Sequence, residues 1–293
     1  MEIITQKKRV IVLGSTGMLG HVLHYMLENE SDFELFDISY RKKLTNNSII
    51  CNVNNIDDLD KKIVKIKPDV IVNCIGILVK GSKIDTANTI YINSYLPHHL
   101  KQIADKIGAR VIQISTDCVF SGKKGFYSEN HFPDSTDIYG RSKNLGELIN
   151  ERDLTIRTSI VGPEIKNDGE GLLDWFLKQE GIINGYSNVF WGGVTTITLS
   201  KAIIKFIHNP HIVGLLHLTN GRKISKYDLL SLFFKFFPKK NLEINKTKVK
   251  SSDKSLISEK EHSLFLVPSY LEMIKEMRDH MIQNKNKYKY NFK

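Results

Sequence analysis

Over the first 160 positions, apolar residues occur either in short unbroken runs rich in Val and Ile or at every third to fourth position. An unbroken run suits a strand covered on both faces, and the helical spacing suits the elements that cover it. Strands are expected at 9–13, 33–38, 49–53, 69–75, 110–115 and 154–159. Between them, Ile56, Leu59, Ile63 and Ile66 mark one helix that Pro68 ends, and Leu96, Leu100, Ile103, Ala104 and Ile107 mark another that stops at Gly108. An amphipathic run from Met18 to Leu27 follows the first strand. This alternation predicts an α/β fold with a doubly wound parallel sheet.

After Gly162 and Pro163 the rhythm loosens into aromatic segments, Trp175-Phe176 and Tyr186 to Trp191, and the pattern gives no sign that it returns. The expected organisation is a dinucleotide-binding domain over 1–162, completed by part of 189–214, and a smaller mixed α/β substrate lobe over 163–283. Within that lobe, Ser225 with Asp228 and Ser269 with Glu272 read as capping boxes, and Tyr270, Met273, Ile274 and Met277 read as one core-facing helix side. Residues 284–293 have little to bury and read as a frayed basic tail.

Composition narrows the classes. The 293 residues, 41% of them hydrophobic, can bury a sizeable core, and no apolar run approaches the roughly 20 residues of a membrane span. With no charged-then-apolar leader at the start, the chain reads as cytoplasmic. The net charge of +10 comes from lysines scattered along the chain, thickening only at 239–260 and 285–293, which argues against nucleic acid as a partner. Cys51, Cys74 and Cys118 have no metal-like spacing and read as reduced, half-buried thiols in or beside strands. The pairs His21/His24, His98/His99 and His208/His211 each lack a third ligand at a recognisable spacing, so no metal is expected and they read as surface or helix-end residues.

Three segments carry chemistry. Gly14-Ser15-Thr16-Gly17-Met18-Leu19-Gly20 stands between a strand and a helix, where backbone N–H groups at the helix start would face a pyrophosphate. Gly14, Thr16, Gly17, Met18 and Leu19 are therefore candidate cofactor residues. The second strand runs into Ser39-Tyr40-Arg41-Lys42-Lys43, and an arginine fork can pair a 2′-phosphate bidentately, so Arg41 favours NADPH. Asp37, 23 residues after Gly14, leaves NADH open. Thr116 ends the fifth strand, where its hydroxyl can stabilise a forming alkoxide. Tyr139 can give that alkoxide a proton. Lys143, one helical turn on, is expected to place an ammonium about 4 Å from the phenol and lower its pKa by up to about three units. Asn93 reads as an N-cap of the helix before the fifth strand, with a water-relay role as the alternative.

These residues resemble the extended short-chain dehydrogenases/reductases, and among them the dTDP-4-dehydrorhamnose reductase branch. Ser115-Thr116-Asp117-Cys118-Val119-Phe120-Ser121-Gly122 is similar to that branch's S-T-D-Y-V-F-x-G, Tyr127-Ser128-Glu129 to its Y-x-E, Tyr139-Gly140-Arg141-Ser142-Lys143 to its Y-G-x-S-K, and Arg157-Thr158-Ser159 to its R-T-S strand. The likeness runs from Val10 to about Tyr270. It implies a Rossmann fold and NADPH-dependent reduction of a 4-keto-6-deoxy nucleotide-sugar, serving surface polysaccharide synthesis. Thr116, Tyr139 and Lys143 would be catalytic, with Asp117 beside the sugar. The resemblance further places residues 73–76, including Cys74 and Gly76, along the nicotinamide, and Asn52 with Val53 near the adenine. Family habit implies a homodimer.

Two positions depart from the branch. Cys118 replaces its Tyr and Ile160 replaces a Trp that touches the sugar, so the sugar is left open, with Trp191 a candidate replacement contact. Sugar-nucleotide 4,6-dehydratases carry Glu where Cys118 stands, and a thiol is a poor acid for their elimination step. The alternatives are an epimerase holding NAD tightly and a non-catalytic protein resembling the regulatory subunit of methionine adenosyltransferase.

Overall fold

A computed structural model describes residues 7–260 and 265–290. Seven parallel strands form the central sheet: β1 (Lys8–Leu13), β2 (Phe33–Ser39), β3 (Ile49–Ile50), β4 (Val70–Asn73), β5 (Arg110–Thr116), β6 (Leu154–Thr158) and a seventh, Gly214–His217. Their order in space is Gly214–His217, β6, β5, β4, β1, β2, β3. The unbroken apolar runs follow from burial on two faces: along β1, Val10 and Val12 enter one hydrophobic cluster, while Ile11 and Leu13 enter the other. Helices Ile56–Ile66 and Leu96–Ile107 cover the second face through Leu59, Ile63, Leu100 and Ile103. Left-handed residues end both, Lys67 at φ 49° and Gly108 at φ 73°.

The alternation does resume after residue 162. Helix Thr196–His208 packs on helix Met18–Leu27, and the strand after it pairs with β6 in register Leu216↔Ile156. That return is muted in the sequence because the intervening residues 163–195 form only short elements, Leu172–Lys178, Gly181–Tyr186 and Val189–Trp191 among them. The core of the second half is continuous with that of the first, since Trp191, Tyr270, Met273, Ile274 and Met277 join Val22, Leu23 and Phe206 in one cluster. Ser269 and Glu272 form a reciprocal capping box at helix Tyr270–Gln283, whereas Ser225 caps helix Lys226–Phe236 through its hydroxyl alone.

Three expectations are corrected. His21 and His24 are buried, because the first helix lies between the sheet and the C-terminal segment; the His21 ring meets Tyr288 edge-on at 5.7 Å and its Nδ1 lies 2.7 Å from the Gly17 carbonyl. Burial pushes the His21 pKa down to about 4, so the ring is neutral. The tail is not frayed over its described part: Tyr288 is buried, and the Tyr290 hydroxyl donates to Asp174 Oδ1 at 3.0 Å. Residues 291–293 lie outside the described residues. Asn93 is no N-cap; it sits in the π-turn Tyr91–Tyr95.

Candidate active site

Strand order reverses between β1 and β4, where the ladder aligns Leu13 with Asn73, and a crevice opens beyond their carboxyl ends. Its cavity, about 350 Å³, is lined by Gly14, Thr16 and Gly17 after β1, by Ser39 to Arg41 after β2, by Cys51 to Asn54, and by Cys74 to Ile77 after β4. Eight of the candidate cofactor residues thus meet in one cleft: Gly14, Thr16, Gly17, Arg41, Asn52, Val53, Cys74 and Gly76. Gly14 holds φ +82°, and a Cβ there would fall 2.9 Å from Ile75 Cγ1. A Cβ on Gly20 would overlap the Gly14 carbonyl oxygen, so that glycine sets how closely the helix approaches the strand. No side chain caps helix Met18–Leu27, which leaves the N–H groups of Met18 and Leu19 without an intrahelical partner at the end of the cleft. An uncapped helix start, glycines where a side chain would clash, and a lining that contains Arg41 and Lys166 but no carboxylate fit a phosphorylated dinucleotide.

Asp37 takes no part in this lining. It lies one pleat before the end of β2, is buried, and accepts a 2.5 Å hydrogen bond from Ser15 Oγ. Its alternation along the strand turns it inward, so the carboxylate that left NADH open is already engaged.

At the other end of the crevice, Thr116 closes β5 and its Oγ1 accepts from the Cys118 N–H at 3.1 Å. Asp137 caps helix Ile138–Leu145, its Oδ1 accepting from the Gly140 N–H at 2.8 Å, and the helix brings the Tyr139 phenol beside the Thr116 hydroxyl. Lys143 Nζ donates to the Ile114 carbonyl at 2.6 Å and lies 3.8 Å from where a Cβ on Gly76 would be. The three candidate catalytic residues therefore gather next to the cofactor cleft. Their electrostatics differ from expectation. Burial, with Cys118 and the Asp117 carboxylate nearby, holds the Tyr139 phenol above its ordinary pKa; the adjacent Thr116 hydroxyl acts in the opposite sense. The Lys143 ammonium is spent on a backbone carbonyl, and burial lowers its own pKa to about 8 against the pull of Glu147.

Other residues around the site were given a different role by the sequence reading, or none. The Asn93 side chain accepts from the Ile77 N–H at 2.9 Å and donates to the Ile77 carbonyl at 3.0 Å and Ser142 Oγ at 3.2 Å, clasping the loop after β4 to the Tyr139 helix. Glu147 takes Arg157 bidentately, at 2.7 and 2.6 Å, and accepts from Ser115 Oγ at 2.6 Å. A charged residue inside the apolar strand β6 was the one available signal of a buried partner. Asp117 is buried and its pKa raised by desolvation, with Lys254 and Lys226 opposing. Trp191, 4% exposed, donates from Nε1 to Ser159 Oγ at 2.8 Å and packs on Tyr270, so the structure puts its ring in the core. Among the described residues no group of His, Cys, Asp and Glu could hold a metal, and no helix is long and apolar enough to cross a membrane.

A seven-stranded parallel sheet with a glycine-rich turn at its switch point, and a Thr-Tyr-Lys cluster beside it, is the architecture of an α/β protein of the short-chain dehydrogenase/reductase type. The family model for the RmlD substrate binding domain matches residues 8–260, and the chain belongs to that family. It is similar to a dTDP-4-dehydrorhamnose reductase of Aggregatibacter actinomycetemcomitans, 22% identical over 77% of this chain and 78% of the relative. It is also similar to methionine adenosyltransferase 2 subunit beta of Xenopus laevis, 23% identical over 78% of this chain and 72% of that one. A crystal structure of dTDP-4-dehydrorhamnose reductase from Bacillus anthracis in complex with NADP superposes with TM-score 0.78 at 23% identity, covering 94% of this chain and 99% of that chain.

Proposed function

We propose that the chain is an NADPH-dependent reductase of a 4-keto-6-deoxy nucleotide-sugar, yielding the deoxysugar nucleotide for surface polysaccharide synthesis. The observation that carries this reading is the gathering of the Thr116 hydroxyl and the Tyr139 phenol with Lys143 one turn behind, beside a cleft that fits a phosphorylated dinucleotide. Gly14, Thr16, Gly17, Met18 and Leu19 would hold its pyrophosphate, Arg41 its 2′-phosphate, Asn52 and Val53 its adenine side, and Cys74 with Gly76 its nicotinamide side. Bound there, NADPH supplies the hydride.

The chain's own residues handle charge and proton. Thr116 donates to the substrate carbonyl oxygen and holds it as negative charge grows. A phenol with a raised pKa is fully protonated at neutral pH, so Tyr139 carries its proton ready for use. An alkoxide is about as basic as hydroxide, whose conjugate acid has a pKa of about 15.7, so transfer from the phenol stays downhill even without the acidification expected from Lys143. Lys143, beside Gly76, then serves chiefly to bind and orient the cofactor. Cys118, its thiol pushed up to about 12 by burial and by Asp117, stays a neutral neighbour of the sugar. Lys226 and Lys254, on the second half, offer positive charge opposite Asp117 to the nucleotide-sugar.

A panel of 4-keto-6-deoxy sugar nucleotides with NADPH oxidation followed optically tests the reading. Turnover of one member is the expected result, and it names the sugar. The likeness to the methionine adenosyltransferase subunit supports a second reading, a regulator on the same fold. Stable co-purification with a synthetase together with silence across the panel would favour it.

A further inference from the structure

The family match stops at residue 260, yet the last described residues hold a loop that borders the cofactor cleft. The link is the loop 164–171, which contributes Lys166 to the cavity wall alongside Gly14, Gly17 and Arg41. At its end the loop rests on the start of the first helix, where a Cβ on Gly171 would overlap the Met18 methyl. It is closed on itself by Glu164, whose Oε1 accepts from the Gly171 N–H at 2.6 Å. From outside, the C-terminal segment clasps it. The Tyr290 hydroxyl accepts from the Glu164 N–H at 2.9 Å and donates to Asp174 at 3.0 Å, and Lys289 Nζ donates to the Lys166 carbonyl. Lys178 adds a hydrogen bond to the Asn167 carbonyl at 3.3 Å while paired with Asp174 at 2.5 Å.

Resting on the dinucleotide reading above, we propose that Lys166 is a further cofactor-binding residue that neutralises the pyrophosphate, and that Tyr290 is a positioning residue that holds its loop in place. The pyrophosphate is chosen over the 2′-phosphate because the loop seats at Met18, by the uncapped helix start, whereas Arg41, the residue proposed for the 2′-phosphate, follows β2. A lysine reaching from a loop supplies charge where the glycine turn supplies only N–H groups, and its grip depends on how firmly the loop is held.

Dissociation constants of NADPH and NADH, read by fluorescence for the wild type, Lys166→Ala, Tyr290→Phe and the double variant, test both parts. Lys166→Ala is expected to weaken both dinucleotides about tenfold and equally, because both carry the pyrophosphate. Tyr290→Phe keeps the ring and loses the hydroxyl; it should weaken both cofactors severalfold in the wild-type background and have no effect once Lys166 is alanine. Unchanged affinity in Lys166→Ala, or a loss confined to NADPH, overturns the assignment of Lys166. A Tyr290→Phe effect that persists undiminished in the double variant overturns the clasp. A wild type that binds neither dinucleotide would instead sink the reductase reading itself.

Discussion

Ser15 Oγ donates a 2.5 Å hydrogen bond to Asp37, and this one contact removes from the cofactor cleft the carboxylate on which a preference for NADH would rest. Ser15 follows the first glycine of the turn and Asp37 pairs with Val12 in the β-ladder, so the bond also ties the turn to β2. Arg41→Ala should therefore lower kcat/KM with NADPH by ten- to a hundredfold, the scale of a lost charge-assisted pair, and change that with NADH less than threefold. Asp37→Asn should leave the preference where it is. Steady-state kinetics with both cofactors check the two variants together.

The Lys143 ammonium is buried, so its pKa falls from 10.5 to about 8. The folded state then binds fewer protons than the unfolded chain between about pH 8 and 10.5, and this group makes stability rise across that window; below pH 8 its full cost is present. Lys143→Met should abolish most activity and still raise the pH 7 unfolding free energy by about 1–2 kcal/mol: about 3 kcal/mol of relieved desolvation less about 1 for the lost hydrogen bond to Ile114. Denaturant unfolding at pH 7 and pH 10.5 should show that gain shrinking at the higher pH. In the wild type, kcat/KM is expected to fall as pH rises through about 8.

Glu147 raises the Lys143 pKa while it binds Arg157. Glu147→Gln should move the alkaline limb of the pH–rate profile to lower pH without touching the reacting groups. Arg157→Met leaves the buried carboxylate without its partner and should cost about 3–5 kcal/mol in a denaturant titration.

Burial above all, and then Cys118 and Asp117, act against ionisation of the Tyr139 phenol, which therefore stays protonated well above neutral pH. A spectroscopic titration of the cofactor-free protein should show no tyrosinate from Tyr139 below pH 10. A difference signal near pH 7 that vanishes in Tyr139→Phe would mean that Lys143 does acidify it.

The sheet was legible because β1, β4 and β5 are buried on both faces and so read as apolar runs, and because helices that cover only one face show their period. The glycine turn, Thr116, Tyr139 and Lys143 were legible as short motifs with fixed spacing. Contacts across long separations were not. Nothing local distinguishes Lys166 from the other scattered lysines, and Tyr290 looked like part of a polar tail until Asp174 and Glu164 were seen beside it. Asn93 fits a cap pattern, and its role depends on Ser142, 49 residues away. The expected acidification of Tyr139 failed for a related reason: helical spacing places Lys143 on the same face, but the Ile114 carbonyl, 29 residues back, competes for its ammonium.

The most direct test compares wild type with Tyr139→Phe in NADPH oxidation against the 4-keto-6-deoxy nucleotide-sugar that the panel selects. Loss of the phenol proton should reduce kcat by about 10²–10⁴-fold while NADPH affinity stays within about threefold. Undiminished turnover by the phenylalanine variant would contradict the account.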